Sequence, residues 1–193
     1  MEYAAAAVIG YLLGSIPAAL LVARRYGVDL RAVGDGNPGA WNALEHLGPR
    51  RAWPAFAGDG LKGVAAALAG TAIGGHGAGV VAVAAAILGH AFPAFAGLRG
   101  GKGVMTFVGG ALALAPVAGV LALAAGVLAG LFARSLAVGA RVVVFAIPVA
   151  QLVTDGAHRV AATGALMCLV GALFAGRGRS ARARSGPGAA PTR

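Results

Sequence analysis

The chain has 193 residues, of which 59% are hydrophobic and 11% charged, and its net charge is +10. This composition is typical of a membrane protein and excludes an ordinary soluble domain. The basic residues flank apolar segments, as the positive-inside rule describes, and no basic surface is interleaved with aromatic residues, so we expect no nucleic-acid binding. The single cysteine, Cys168, excludes a disulfide framework, and no cluster of His, Cys and carboxylate residues has the spacing of a metal site.

Apolar segments of the length needed to cross a bilayer recur along the chain. They run over about 3–23, 54–74, 78–97, 104–133, 136–153 and 160–176. The segment 104–133 is too long for one span, and we expect it to break near Ala115 and Pro116 into a short helix and a full one. The sequence predicts an all-α polytopic membrane protein with about seven transmembrane helices. Five full spans are the alternative, if two of the weaker segments only dip into the bilayer.

The positions of the basic residues predict the orientation. The loop 24–53 and the arginine-rich C-terminal segment both belong on the cytoplasmic side, which puts the N-terminus outside and the C-terminus inside. The turn that contains Arg99 and Lys102 then returns to the cytoplasmic side. We expect residues 1–176 to form the membrane domain and the segment 177–193 to be a basic, disordered cytoplasmic tail attracted to anionic lipids.

The most informative polar segment is the glycine-rich turn around Lys102. Gly100, Gly101 and Gly103 lack a Cβ, so their backbone N–H groups could turn toward an anion and form a nest. Lys102 adds a compact positive charge, and Arg99 adds a planar donor group beside it. The segment predicts a phosphate site at the membrane surface. It is not a Walker motif, because no Ser or Thr follows the lysine.

A second glycine-rich loop surrounds Asn37, at the end of a different helix but on the same predicted face. Its glycines, Gly34, Gly36 and Gly39, have G-x-G-x-x-G spacing, but no strand precedes them, which excludes a dinucleotide-binding fingerprint. Asn37 and Asn42 place amide side chains next to these glycines. Both glycine-rich loops could instead be tight turns that only connect helices.

Three ionisable residues lie within apolar segments. Asp59 and Lys62 stand at i and i+3, on one face of a helix, where they either form a structural ion pair or line a polar site. His90 precedes the glycine-rich turn, where it is either a packed, hydrogen-bonded residue or a substrate contact. The sequence leaves both alternatives open.

Taken in order, these residues resemble the bacterial acyl-phosphate:glycerol-3-phosphate acyltransferases. The resemblance covers most of the chain and rests on the order and spacing of short motifs. These are Gly14-Ser15-Ile16-Pro17, Asp29-Leu30-Arg31, Gly36-Asn37-Pro38-Gly39-Ala40 with Asn42, Asp59, Lys62-Gly63, Gly89-His90, Pro93, Phe95, and Gly100-Gly101-Lys102-Gly103-Val104 followed by Thr106.

The resemblance implies a multi-pass enzyme of phospholipid biosynthesis in the bacterial inner membrane, with its active face in the cytoplasm and no metal or other cofactor. It would transfer a fatty acyl group from acyl-phosphate to the 1-hydroxyl of glycerol 3-phosphate, giving lysophosphatidic acid. Its partners would be these two substrates and membrane lipids. The implied phosphate- and substrate-binding residues are Gly36, Asn37, Gly39, Arg99, Gly100, Gly101, Lys102 and Gly103. The catalytic candidates are Lys102, His90 and Asn42, and the candidates for lining the site are Asp59, Lys62, Thr106 and Ser135.

The chain departs from the family pattern in two places. In the first loop the family carries serine, threonine and arginine where this chain has Asp35, Trp41 and Glu45. The family's third motif, His-x-x-Asn followed by Arg after the last span, is replaced by the unrelated residues 175–180. A carboxylate in place of a cation repels a phosphate. The alternative function is therefore a catalytically impaired relative that binds lipid phosphates in a regulatory role. A small transporter ranks last, because no internal repeat is present.

Overall fold

The computed structural model describes residues 1–184, and every regular element within that range is helical, as the sequence predicts. The α-helices are α1 (Glu2–Gly14), α2 (Ala18–Arg25), α3 (Ala40–Leu47), α4 (Pro49–Ala91), α5 (Val104–Leu114), α6 (Pro116–Phe132), α7 (Leu136–Thr154) and α8 (Ala157–Arg184). A short 3-10 helix, Ala94–Ala96, lies between α4 and α5.

The helices break where the sequence favours an interruption. The proline of the segment 15–17 separates α1 from α2, because proline has no N–H to donate within a helix. The predicted break in 104–133 is confirmed at Ala115, whose φ of −141° and ψ of 73° are not helical. Pro116, at the first position of α6, suits a helix start, where its fixed φ is already helical.

Helix α4 is two helices joined at a glycine pair. Gly74 and Gly75 leave the helical region, and Gly75 has a φ of 71°, which glycine adopts without strain. Beyond this kink the chain folds back, so that a Cβ added to Gly70 would lie 2.9 Å from the Cα of Gly79. The two halves correspond to the separate apolar segments 54–74 and 78–97 that the sequence predicts.

Within the described residues, four helical stretches are long and apolar enough to cross a membrane. They are Glu2–Arg25, Pro49–Ala96, Leu136–Thr154 and Ala157–Gly176, and α5 and α6 are shorter apolar helices. The helices occupy the positions of the predicted passes. Their number across the bilayer stays a prediction.

Small residues allow α1, α4 and α5 to pack closely. A Cβ added to Gly10 of α1 would lie 2.8 Å from the carbonyl carbon of Ala82, and one added to Gly63 would lie 2.8 Å from the amide nitrogen of Gly110. Backbones approach this closely only where a glycine stands at the crossing. The core between these helices is completed by Val83, Ile87 and Phe107, which are fully or almost fully buried.

The connections between helices collect at two opposite ends of the bundle. The loop between α2 and α3 meets the turn before α5, where Lys102 lies 3.5 Å from Asp35. At the other end, the N-terminus meets the kink of α4, where Tyr3 approaches Gly77. The prediction that the two glycine-rich loops share one face is confirmed.

The C-terminal helix is longer than the sequence predicts. Because α8 continues to Arg184, the backbone of residues 177–184 is helical where we expected disorder. The alanines and arginines of this stretch have high helix propensity. The remainder of the predicted tail, 185–193, lies outside the described residues, and a domain boundary at 176 stays a prediction.

Candidate functional site

The two glycine-rich loops meet at an ion pair. Lys102 Nζ lies 3.5 Å from Asp35 Oδ2, and the two side chains are 30% and 56% exposed. The backbones are also adjacent, because a Cβ added to Gly39 would lie 4.0 Å from the Cα of Gly101. The junction of the loops is therefore open to a water-soluble ligand and carries a cationic group of the kind that binds phosphate.

The first loop is held in shape by Asn42. Its buried amide donates to the carbonyl oxygens of Leu30, Val33 and Asn37 at 2.9–3.0 Å. The sequence predicts Asn42 as a catalytic candidate. In the structure its N–H groups instead tie together the loop from which Asp35 projects, so Asn42 is placed to position that loop.

The other predicted residues of this loop shape its turn. The backbone N–H of Asn37 donates to Asp35 Oδ1 at 3.0 Å, which is the local hydrogen bond of an Asx turn. Gly36 has a φ of 66° and Gly39 is buried at the start of α3. These residues bring the carboxylate of Asp35 to the junction with Lys102.

The predicted nest of backbone amides in the second loop is wrong for two of its glycines. Gly100 N–H donates to the carbonyl of Ala91 at 3.0 Å, and Gly101 N–H donates to that of His90 at 3.1 Å. Both amides are turned back toward the end of α4 rather than toward a ligand. Both positions still require glycine, because a Cβ on either one would collide with His90.

The next two amides along the chain are not used in this way. Among the described residues, the N–H groups of Lys102 and Gly103 donate to no protein acceptor. Gly103, with a φ of 80°, immediately precedes α5, and the first amides of that helix also lack partners within it. A helix N-terminus beside a lysine favours a phosphate.

A buried polar network lies beneath the second loop. Asp59 Oδ1 lies 2.8 Å from Lys62 Nζ and 3.4 Å from His90 Nδ1, which confirms the predicted ion pair. Lys62 also donates to the carbonyl of Ile16 at 3.0 Å, and Thr106 Oγ1 lies 3.4 Å from His90 Nδ1. All four polar side chains are at least 93% buried, so each charge needs these partners.

Asp59 and Lys62 form the predicted ion pair and also border a small cavity, whereas a substrate contact of His90 stays a prediction. Asp59, Lys62 and His90 border this cavity together with Gly100 and Gly101. Its volume is about 10 Å³, which is about the space that one water molecule needs. The network therefore supports the second loop from below, and a whole substrate does not fit among its side chains.

Two residues that the sequence analysis places in motifs, but not among the site candidates, join the elements of the site. The guanidinium of Arg31 donates to the carbonyls of Ala96 and Arg99, so it fastens the first loop to the second. Ser15, in the break between α1 and α2, accepts from the amide of Ala94 at 3.2 Å. In the sequence, Arg31 is an arginine next to a glycine-rich loop, and Ser15 is a serine beside a helix-breaking proline. Neither pattern identifies the backbone group with which the side chain forms a hydrogen bond.

The remaining candidates lie apart from this junction or touch it only through the backbone. The Arg99 side chain is exposed, and its carbonyl accepts from Arg31. Ser135 caps α7, where its hydroxyl accepts from the amide of Val138 at 3.4 Å. Phe174 of α8, which the sequence did not single out, places its ring centroid 5.0 Å from Lys102 Nζ.

Comparison with known proteins identifies the family. A family model described as glycerol-3-phosphate acyltransferase matches residues 4–184. The chain belongs to this family. A glycerol-3-phosphate acyltransferase from Rubrobacter xylanophilus is 43% identical over 147 residues, which are 76% of this chain and 74% of that protein. Another, from Rhizobium etli strain CFN 42, is 41% identical over 167 residues, 86% of this chain and 81% of the relative.

The fold is also that of a solved family member. The crystal structure of PlsY (YgiH), an integral membrane glycerol 3-phosphate acyltransferase in its glycerol 3-phosphate form, superposes with a TM-score of 0.77 and 29% identity. The superposition covers 95% of this chain and 92% of that one. A second PlsY structure, in the lysophosphatidic acid form, gives a TM-score of 0.75. Together with its apolar helices, this similarity makes the chain a multi-pass membrane protein of the acyltransferase class.

Proposed function

We propose that this protein transfers a fatty acyl group from acyl-phosphate to the 1-hydroxyl of glycerol 3-phosphate, giving lysophosphatidic acid and inorganic phosphate. The observation that carries the proposal is the exposed Lys102 at the junction of two glycine-rich loops, next to the N-terminus of α5. Membership of the glycerol-3-phosphate acyltransferase family supports the reaction class. The names of its members also support glycerol 3-phosphate as the substrate.

In the proposed reaction the 1-hydroxyl oxygen attacks the acyl carbonyl carbon. The bond from that carbon to the phosphate oxygen breaks, the phosphate leaves with the bonding electrons, and the hydroxyl proton is released. Because phosphate is already a good leaving group, the enzyme needs to supply position and charge stabilisation more than a nucleophile. Lys102 and the amides at the start of α5 are the groups that would hold a phosphate.

The surrounding residues support this site without acting on the reacting atoms. Asn42 and Arg31 fix the first loop and fasten it to the second. His90 lies directly beneath Gly101 and is held in turn by Asp59 and Thr106. We assign these side chains as positioning residues, and the apolar surface of the helices as the place for the acyl chain.

We infer that the end of the bundle that carries both loops faces the cytoplasm of a bacterial cell. Seven of the eleven Lys and Arg residues in 1–176 lie at this end, namely Arg24, Arg25, Arg31, Arg50, Arg51, Arg99 and Lys102. The positive-inside rule places such an end in the cytoplasm. Water-soluble glycerol 3-phosphate would reach the site from that side, and the acyl-phosphate from the membrane.

A second candidate function is a family member that binds lipid phosphates without transferring an acyl group. The pairing of Lys102 with Asp35 favours this alternative, because the carboxylate contacts the ammonium group that the reaction would use to hold a phosphate. The absence of the family's third motif, in the segment 175–180 at the end of α8, points the same way.

The decisive experiment is an assay of the purified protein in detergent or nanodiscs with palmitoyl phosphate and glycerol 3-phosphate. Lysophosphatidic acid should form with palmitoyl phosphate as the donor and not with palmitoyl-CoA. Lys102→Ala should lower the rate by about 100-fold or more, the loss typical of a group that stabilises transition-state charge. Arg50→Ala, which removes an exposed cation at the same end of the bundle, is the matched control and should retain activity.

If the wild-type protein forms no more product than Lys102→Ala, the acyl-transfer proposal is wrong. Binding of glycerol 3-phosphate that still depends on Lys102 would then select the non-catalytic alternative.

A further inference from the structure

We propose that Asp35 acts as an internal counter-ion at the phosphate site and sets the affinity of that site for a phosphate ligand. Its carboxylate occupies the place beside the Lys102 ammonium that a substrate phosphate takes, and the phosphate must displace it to bind. The inference rests on the proposed phosphate site and adds to it a residue that lowers its affinity.

The two carboxylate oxygens of Asp35 have separate tasks. Oδ1 accepts the amide of Asn37 at 3.0 Å and so fixes the side chain to its own loop. Oδ2 lies 3.5 Å from Lys102 Nζ on the other loop. Because the first contact anchors the carboxylate, the second is reached without ordering a free side chain.

Lys102 is contacted on a second side by an aromatic ring. The centroid of Phe174 lies 5.0 Å from Lys102 Nζ, within the range of a cation–π interaction. The ammonium therefore lies between a carboxylate of the first loop and a ring of α8. In this arrangement the ammonium already has an anionic and an aromatic neighbour before any ligand arrives.

The strength of the Asp35–Lys102 pair allows a phosphate to win this competition. Both side chains are partly exposed, at 56% and 30%, so solvent screens the pair, and such pairs contribute little. A phosphate monoester carries up to two negative charges and several acceptor oxygens. It can bond Lys102 and the amides of Lys102 and Gly103 together, whereas the Asp35 carboxylate already accepts an amide in its own loop.

The test is to remove the charge of Asp35 and keep its turn. Asp35→Asn retains an oxygen that can accept the amide of Asn37. Asp35→Ser is a second variant, because its hydroxyl can accept the same amide. Asp155→Asn is the matched control, since it makes the same change in net charge at an acidic residue between α7 and α8, where Asp155 pairs with Arg159 at 3.8 Å.

Binding of glycerol 3-phosphate is measured by calorimetry on the full chain in nanodiscs, with no acyl donor present. Asp35→Asn and Asp35→Ser should each lower the dissociation constant by about 1.5-fold to fivefold, the range expected for an exposed pair of charges. Asp155→Asn should leave it unchanged. Glycerol, which lacks the phosphate, should bind each variant no more tightly than it binds the wild-type protein.

An unchanged or higher dissociation constant in both Asp35 variants would overturn the inference. An equal gain in Asp155→Asn would also overturn it, because the effect would then be one of net charge alone. The two proposals fail separately: tighter binding without lysophosphatidic acid formation refutes only the acyl transfer, and product formation with unchanged binding refutes only the role of Asp35.

Discussion

Asp59 connects the buried charged side chains beneath the second loop. Its carboxylate contacts Lys62 at 2.8 Å and His90 at 3.4 Å, at a depth where the Asp59 residue is 2% exposed. A buried charge that loses its partner is strongly destabilising, whereas replacement of the whole pair by apolar residues often costs little. Stability and site geometry are therefore coupled at this residue.

We expect Asp59→Asn to destabilise the protein, because it leaves the Lys62 ammonium buried without a counter-ion. Loss of one partner of a buried pair costs about 3–5 kcal/mol, which corresponds to a melting temperature about 6–20 °C lower. Thermal unfolding in detergent, followed by intrinsic fluorescence, measures the change.

The double variant Asp59→Leu with Lys62→Met should recover most of that loss, because it leaves no unpaired charge. The matched control is Asp155→Asn in the partly exposed pair with Arg159, which should change the melting temperature less. If the control and Asp59→Asn shift the temperature equally, burial of the pair is not the source of its importance.

At the scale of helices, backbone contact between α4 and α5 places the buried network beneath the second loop. A Cβ added to Gly63 would collide with the carbonyl of Thr106 and lie 2.8 Å from the nitrogen of Gly110. The same crossing brings Thr106 to His90. The packing of α5 against α4 therefore fixes the position of α5, and with it the position of Lys102 just before the N-terminus of that helix.

Gly63→Ala should force α5 away from α4. Overpacking of this kind costs about 1–3 kcal/mol, and the displacement of Lys102 should lower acyl-transfer activity more than it lowers stability. Gly164→Ala in α8 is the control, because a Cβ there meets nothing within 4 Å and alanine favours a helix. Equal melting temperatures and activities in the two variants would show that the α4–α5 crossing tolerates a larger separation.

At the scale of the whole molecule, the charge distribution is strongly asymmetric. The end with the glycine-rich loops carries seven of the eleven Lys and Arg residues in 1–176, whereas the turn between α7 and α8 and the start of α8 carry Asp155 and Arg159. The orientation that follows from this asymmetry places Arg50 in the cytoplasm and His158 outside.

Single cysteines test this orientation directly. In a Cys168→Ala background, Arg50→Cys should react with a membrane-impermeant maleimide only in inverted vesicles, and His158→Cys only in intact spheroplasts. Both positions are exposed. Labelling of both cysteines from the same side would refute the predicted topology. The predicted topology has an odd number of passes between residues 50 and 158, whereas two residues on the same side are separated by an even number.

The helices could be predicted from the sequence because hydropathy and helix breakers act locally. The turn at Gly74–Gly75 and the break before Pro116 were predicted from their own backbone chemistry, and the structure breaks at both. The break at Pro17 was not predicted, because the apolar segment 3–23 continues through it. The end of α8 was predicted less well. Its arginines and alanines suit both a polar tail and a helix, so composition alone did not decide between them.

The sequence by itself determined the all-helical membrane fold and the shared face of the two glycine-rich loops, and it gave an ion pair between Asp59 and Lys62 as one of two alternatives. Each of these follows from residues near one another in the chain or from the alternation of membrane passes. Only the tertiary structure decided that Gly100 and Gly101 donate their amides to the end of α4, and that Asp35 rather than a free space lies beside Lys102. Those outcomes depend on distances between helices that no local pattern encodes, because they are fixed by how closely small residues let the helices pack.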